Sequence, residues 1–105
     1  MPYSLRSHQR FPVICGVTYE HWSHEGRGTV WNLSATGWWM SGDLPLQCGD
    51  VCSFQVVLPT REQVSIAAGV VRWVNGYDYG VQTMVMDREA QDRLREYIQQ
   101  RSKQQ

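Results

Sequence analysis

Between Val13 and Glu20 the chain alternates, with Val13, Cys15, Val17 and Tyr19 apolar and Gly16, Thr18 and Glu20 among the residues between them. Successive side chains of a strand point to opposite faces, so this period of two predicts a half-buried strand over residues 13–20. Residues 28–34 predict a second strand, in which Thr29, Trp31 and Leu33 alternate with Val30, Asn32 and Ser34, and Trp31 is expected in the interior. Gly37 marks a tight turn or bulge before a short third strand, Trp38 to Ser41. Alternation there sends Trp38 and Trp39 to opposite faces, and the exposed ring is a candidate partner anchor or helix contact. Val51 to Leu58, Val64 to Val74 (bending near Gly69) and Tyr79 to Met86 complete a set of six.

The connections carry turn chemistry. His21 to Arg27 is polar and ends near two glycines, as expected of a hairpin loop. Gly42-Asp43, Pro45 and Gly49-Asp50 punctuate the next connection, and Asn75-Gly76 is a strong hairpin signal. After Asp87 the period changes: Ala90, Leu94, Tyr97 and Ile98 recur at helical spacing, with Asp87 placed to cap the helix. Six strands and one terminal helix predict a mainly β fold, a small antiparallel barrel with the helix packed on it. The 105 residues then form one domain: a flexible N-terminal arm over 1–12, the barrel over 13–86 and the helix over 87–101, fraying into solvent beyond Ile98.

Charge narrows the function. Ten Lys+Arg balance ten Asp+Glu, which argues against bulk binding of a nucleic-acid polymer or a membrane surface. All but one of the basic residues are arginine, whose planar fork grips phosphate or a guanine edge. Three cysteines without a Cys-x-x-Cys pair fit a reduced, cytoplasmic chain, and neither a membrane span nor a signal-peptide core is expected. His21, His24 and Glu25 lack further ligands at metal spacing and are expected to be a solvated loop. No nucleophile–base arrangement or phosphate loop stands out, so no enzyme, cofactor or metal is expected.

Two polar patterns remain. Arg6-Ser7-His8-Gln9-Arg10 sets two guanidinium groups ahead of the first strand, and Asn32-Leu33-Ser34-Ala35-Thr36-Gly37 sets an amide, a hydroxyl and a glycine at the end of the second. Chance alone yields about 0.8 Arg-x-x-x-Arg pairs in a chain of this composition, but only about 0.04 matches to the second pattern. Residues two apart on a strand share a face, so Asn32 and Ser34 are expected to project together while Leu33 points inward. Gly37 is expected to allow a close backbone approach to a ligand or a positive φ. The arm would fold back across that face and become ordered over an anionic ligand.

These residues give the chain a resemblance to the PilZ domain, the bacterial receptor module for cyclic di-GMP. Arg6 and Arg10 match its arm motif, and Asn32, Ser34 and Gly37 its strand motif. Gly69-Val70-Val71-Arg72-Trp73 and Tyr79-Gly80-Val81 resemble its late strands, so the likeness extends over about residues 5–98. Asn32 stands where the family often has Asp, and Leu5 where many members have another Arg. The resemblance implies a six-stranded, Greek-key-like PilZ β-barrel with a C-terminal helix. It implies cyclic di-GMP as ligand, with Arg6, Arg10, Asn32, Ser34 and Gly37 as binding residues and Leu5 and Trp73 as secondary contacts. For Trp73, packing is the favoured role. Leucine at position 5 lacks the extra guanidinium associated with a stacked nucleotide dimer, which favours one nucleotide per chain.

The expected protein is a cytoplasmic, monomeric bacterial receptor that changes conformation on binding and signals to an unidentified protein partner controlling motility, pili, biofilm or exopolysaccharide. The alternatives are a PilZ-like interaction module that binds no nucleotide, such as a pilus-assembly factor, and a barrel for single-stranded nucleic acid. Retention of both motifs counts against the first, and zero net charge against the second.

Overall fold

The computed structural model describes residues 10–103. Six strands, β1 (Phe11–His21), β2 (His24–Leu33), β3 (Gly37–Gly42), β4 (Val51–Val57), β5 (Gln63–Asn75) and β6 (Asp78–Val85), precede one helix, α1 (Arg88–Lys103). The strands close in the order β1-β2-β3-β6-β5-β4, every neighbouring pair antiparallel. Among the described residues, closure gives each strand a neighbour on both sides, which covers the edges that could template aggregation.

Alternation in β1 builds one wall of the core. Phe11, Val13, Cys15, Val17 and Tyr19 are all buried, and the residues between them are not. Phe11 and Pro12, expected in the arm, belong to this strand: Phe11 pairs with Leu33 and Pro12 with Asn32. The apolar Phe11 side chain is buried, and that burial carries the sheet two residues further toward the N-terminus. Inside, the Phe54 ring stands edge-on to Trp38 at a centroid distance of 5.0 Å and stacks on Tyr19 at 6.0 Å. Such aromatic pairs add to the burial term.

Because β4 pairs with β1 rather than with β3, the segment 43–50 must cross the barrel end. Two buried tyrosines hold it there. The Tyr19 hydroxyl accepts the Leu44 N–H at 2.9 Å and donates to the Leu44 carbonyl at 2.8 Å, while Tyr79 accepts the Leu46 N–H at 3.1 Å. Burial pushes the Tyr19 hydroxyl up to about 12, and the Cys15 and Cys52 thiols up to about 11. All three groups are therefore neutral in the folded protein near neutral pH.

Several expected boundaries move. The β1–β2 connection is not a long loop but a two-residue turn, Trp22-Ser23, between paired His21 and His24. Trp22 has φ 60°, a region that costs a bulky residue of order 1–3 kcal/mol. No glycine or asparagine announces that turn. The Asn75-Gly76 signal does produce a hairpin, with Gly76 at φ 64° as the first central residue between paired Asn75 and Asp78.

Trp31 is the largest correction. It was expected inside, yet it is 39% exposed, and its indole N–H donates to the Ser41 hydroxyl at 3.0 Å. Between the β2–β3 pairs Val30↔Met40 and Asn32↔Trp39 the register shifts, leaving Trp31 as an extra residue. This β-bulge reverses the alternation, so Val30 and Leu33 both face inward.

At the other end, Asp87 caps α1 by accepting the Ala90 N–H at 2.8 Å. Ala90, Leu94 and Tyr97 bury one stripe of the helix against the barrel. The Arg93 guanidinium donates to the Gln63 carbonyl at 2.9 Å and that of Arg101 to the Pro12 carbonyl at 2.8 Å. These ties accompany continuation of the helix to Lys103, beyond the expected end at 101. Among the described residues no helix is long and apolar enough to cross a membrane.

Candidate functional site

A row of outward-facing positions runs across the barrel wall: Pro12 pairs with Asn32, Asn32 with Trp39, Trp39 with Gly80 and Gly80 with Trp73. At the start of β1, the Arg10 guanidinium donates to the Asn32 side-chain oxygen at 2.8 Å. Thus members of the two polar motifs, twenty-two residues apart, meet at one place. Arg6, the other cation of the first motif, and Leu5 lie outside the described residues, as does the expected closure of the arm.

Beside this contact lies an open groove of about 250 Å³ lined by Arg10, Thr36, Gly37, Arg72, Trp73, Gly80, Val81 and Gln82. Two glycines keep its floor low. At Gly80 a Cβ would sit 1.9 Å from the Trp73 indole nitrogen, so the indole lies across bare backbone. At Gly37 a Cβ would meet the Val81 carbonyl oxygen at 2.2 Å, and Gly37 has no positive φ. The need for glycine at 37 therefore comes from the approach of β3 to β6, within the protein itself.

Ser34 is not on the expected face. β2 ends at Leu33, so strand alternation stops before Ser34, whose side chain is 1% exposed. Its hydroxyl accepts the N–H groups of Thr36 and Gly37, each at 3.2 Å, and its oxygen lies 3.1 Å from the Gly37 carbonyl it donates to. With the Ser34 N–H donating to the Gly37 carbonyl at 2.9 Å, these bonds fix the β2–β3 turn. Ser34 thus shapes the loop that lines the groove, while Asn32 alone projects beside Arg10.

Trp38 and Trp39 do fall on opposite faces, 1% and 36% exposed respectively. Trp73 packs on Gly80, its favoured role, and its ring also lines the groove. Arg72, Gln82 and Thr36 also line it, although the two motifs do not include Arg72 or Gln82. A usable signal was present for Arg72: it and Trp73 are adjacent bulky surface-type residues inside an alternating strand, which is what a bulge produces. The register confirms it, with Arg72 unpaired between Val71↔Val81 and Trp73↔Gly80.

Comparison with known proteins agrees with this architecture. A family model described as the PilZ domain matches residues 4–100. A search of curated protein sequences finds no match. Among solved structures, the Bacillus subtilis inhibitor of motility (MotI/DgrA) superposes with a TM-score of 0.78 at 20% identity, over 91% of this chain and 50% of that one. The chain thus spans about half the length of the Bacillus protein. The PilZ domain of cellulose synthase from a cellulose-synthesizing bacterium superposes with a TM-score of 0.67 at 14% identity, over 86% of this chain and 94% of that one.

Proposed function

The chain belongs to the PilZ domain family, and from that premise we propose that it is a non-enzymatic, cytoplasmic bacterial receptor for cyclic di-GMP. The observation that carries the proposal is the 2.8 Å bond from Arg10 to Asn32 at the rim of a glycine-floored groove. Cyclic di-GMP presents two phosphates and two guanines, and a guanidinium can chelate either with paired donors. In this reading Arg10 and Arg6 meet the ligand directly. Asn32 orients Arg10 and offers its amide to a base edge, Ser34 and Gly37 hold the loop beside the groove, and Trp73 offers an aromatic wall. The monomer then passes the altered surface to a protein partner.

Calorimetric titration of the protein with cyclic di-GMP tests this. A charge-assisted hydrogen bond contributes about 1.5–3 kcal/mol, so Arg10→Ala is expected to weaken binding by roughly 10- to 150-fold. Absence of binding by the unmodified protein rejects the receptor assignment. Binding unaffected by Arg10→Ala rejects the assigned groove. Leucine at position 5 supports one nucleotide per chain, and a titration endpoint of two overturns that stoichiometry.

A further inference from the structure

The bulge at Arg72 has a chemical consequence. Val71 is fully buried, so simple alternation would send Arg72 outward and return Trp73 to the core. The extra residue instead leaves both Arg72 and Trp73 exposed, side by side on the wall that carries the groove. Strand β2 uses the same device: its bulge exposes Trp31 next to Asn32. Bulges re-aim side chains, and here two of them act on the same face.

Arg72 is also held. Its Nε–H donates to the Gln82 side-chain oxygen at 2.6 Å, and its Nη atoms make no hydrogen bond among the described residues. Gripping Nε directs the terminal fork outward with its remaining donors available. Arg10 is held differently, through one terminal Nη atom that donates to the Asn32 side-chain oxygen. The holder of Arg72 is a neutral amide, and among the described residues no carboxylate lines the groove. A glutamate at position 82 would orient Arg72 equally well while offsetting its charge. Two undiminished positive charges over a floor of bare backbone suit an anion carrying two negative charges.

We propose that Arg72, positioned by Gln82, is the second phosphate-holding guanidinium of this groove, meeting one phosphate of the dianionic nucleotide while Arg10 meets the other. The inference rests on the receptor reading and adds to it two residues outside the polar motifs. Gln82 is a positioning residue, acting through Arg72, and its neutrality is the property that matters.

The experiment is titration of cyclic di-GMP into the full chain and into Arg72→Ala, Gln82→Glu and Gln82→Met, at low and high salt, with thermal melts of each. Arg72 and Gln82 are exposed, so melts close to that of the unmodified protein are expected. Arg72→Ala is expected to weaken binding about tenfold or more and to flatten its salt dependence, because one screened charge pair is gone. Gln82→Glu is expected to weaken binding to a similar degree and flatten the salt dependence, although it grips Arg72 more tightly. Gln82→Met is expected to fall between, keeping the salt dependence. If the unmodified protein binds and Arg72→Ala binds within twofold of it, or Gln82→Glu binds as well as the unmodified protein, this inference fails while the receptor reading stands. If the unmodified protein does not bind, the receptor reading fails and takes the inference with it.

Discussion

Strands β1 and β5 cross the same barrel, yet only one of them obeys a simple rule. In β1 buried and less buried residues alternate without a break from Phe11 to Glu20. In β5 alternation holds from Gln63 to Ala67, then gives way to consecutive buried residues, Gly69 to Val71, and a consecutive exposed run from Arg72 to Asn75. The regular strand supplies the core, including Cys15 and Tyr19. The irregular one supplies Arg72 and Trp73 to the groove. Register shifts also occur between Pro12 and Cys15 of β1, between Cys52 and Phe54 of β4 and between Ala68 and Gly69 of β5, so what distinguishes the shift between Val71 and Trp73 is that it turns two consecutive side chains onto the groove wall.

The comparison breaks most severely with pH. Cys15, Cys52 and Tyr19 belong to the core, and burial raises their folded-state values to about 11, 11 and 12 from ordinary values of 9.0, 9.0 and 10.0. Between those limits the unfolded chain has released protons that the native protein still holds. Stability is then fully present below about pH 9 and falls as pH rises, by about 1.4 kcal/mol per pH unit for each group titrating only in the unfolded chain. Thermal melts from pH 8 to 11 are expected to show a steep decline, lessened by Tyr19→Phe relative to its own value at pH 8. The groove's described lining holds no histidine, cysteine, tyrosine or carboxylate, and the arm's His8 is of a type that titrates at about pH 6.5, so cyclic di-GMP affinity is expected to stay level between about pH 8 and 9. A strong pH dependence of binding in that interval would place the ligand elsewhere.

Gly37→Ala probes the seam between the regular and irregular parts. The new methyl group would meet the Val81 carbonyl oxygen at 2.2 Å, and backbone cannot rotate away as a side chain can. Overpacking of this kind costs about 3 kcal/mol, readable by urea denaturation, and should weaken nucleotide binding by moving the groove floor. A neutral effect would mean that β3 and β6 separate freely. Ser34→Ala removes a buried hydroxyl from the adjacent turn and leaves the Thr36 and Gly37 N–H groups without it. A loss of about 1–2 kcal/mol is expected, with a smaller effect on binding than Arg10→Ala. Equal effects on binding would instead make Ser34 a direct ligand contact.

What the sequence revealed follows the same division. All six strands, the Asp87 cap and the Asn75-Gly76 hairpin were legible because each depends on near neighbours or on a strict period. Within the site, the meeting of Arg10 with Asn32 was legible because a hairpin brings the start of β1 back to the end of β2. Trp31 and Gln82 were not, and Arg72 only through its adjacency to Trp73. A bulge changes the phase of a strand by one residue, and its position is set by the partner strand rather than by local composition. Ser34 was placed on the wrong face for a related reason: its hydrogen bonds to the turn end the strand one residue early.

Trp31 provides the smallest and sharpest comparison, because the two phases of β2 predict different costs for the same substitution. If alternation ran unbroken, Trp31 would be a core residue, and removing its ring would cost about 3–5 kcal/mol, as for any large buried aromatic. The bulge instead leaves it 39% exposed on the outer wall, tied by one hydrogen bond to Ser41. Trp31→Thr keeps a β-branched side chain suited to a strand and gives up part of a surface contact. The expected loss is about 1 kcal/mol by urea denaturation, with the unfolding slope unchanged. Val30→Thr at the neighbouring position is the matched control. Val30 is fully buried, so placing a hydroxyl there should cost more than truncating the far larger ring beside it. The reverse order would restore the unbroken period and remove the bulge from β2.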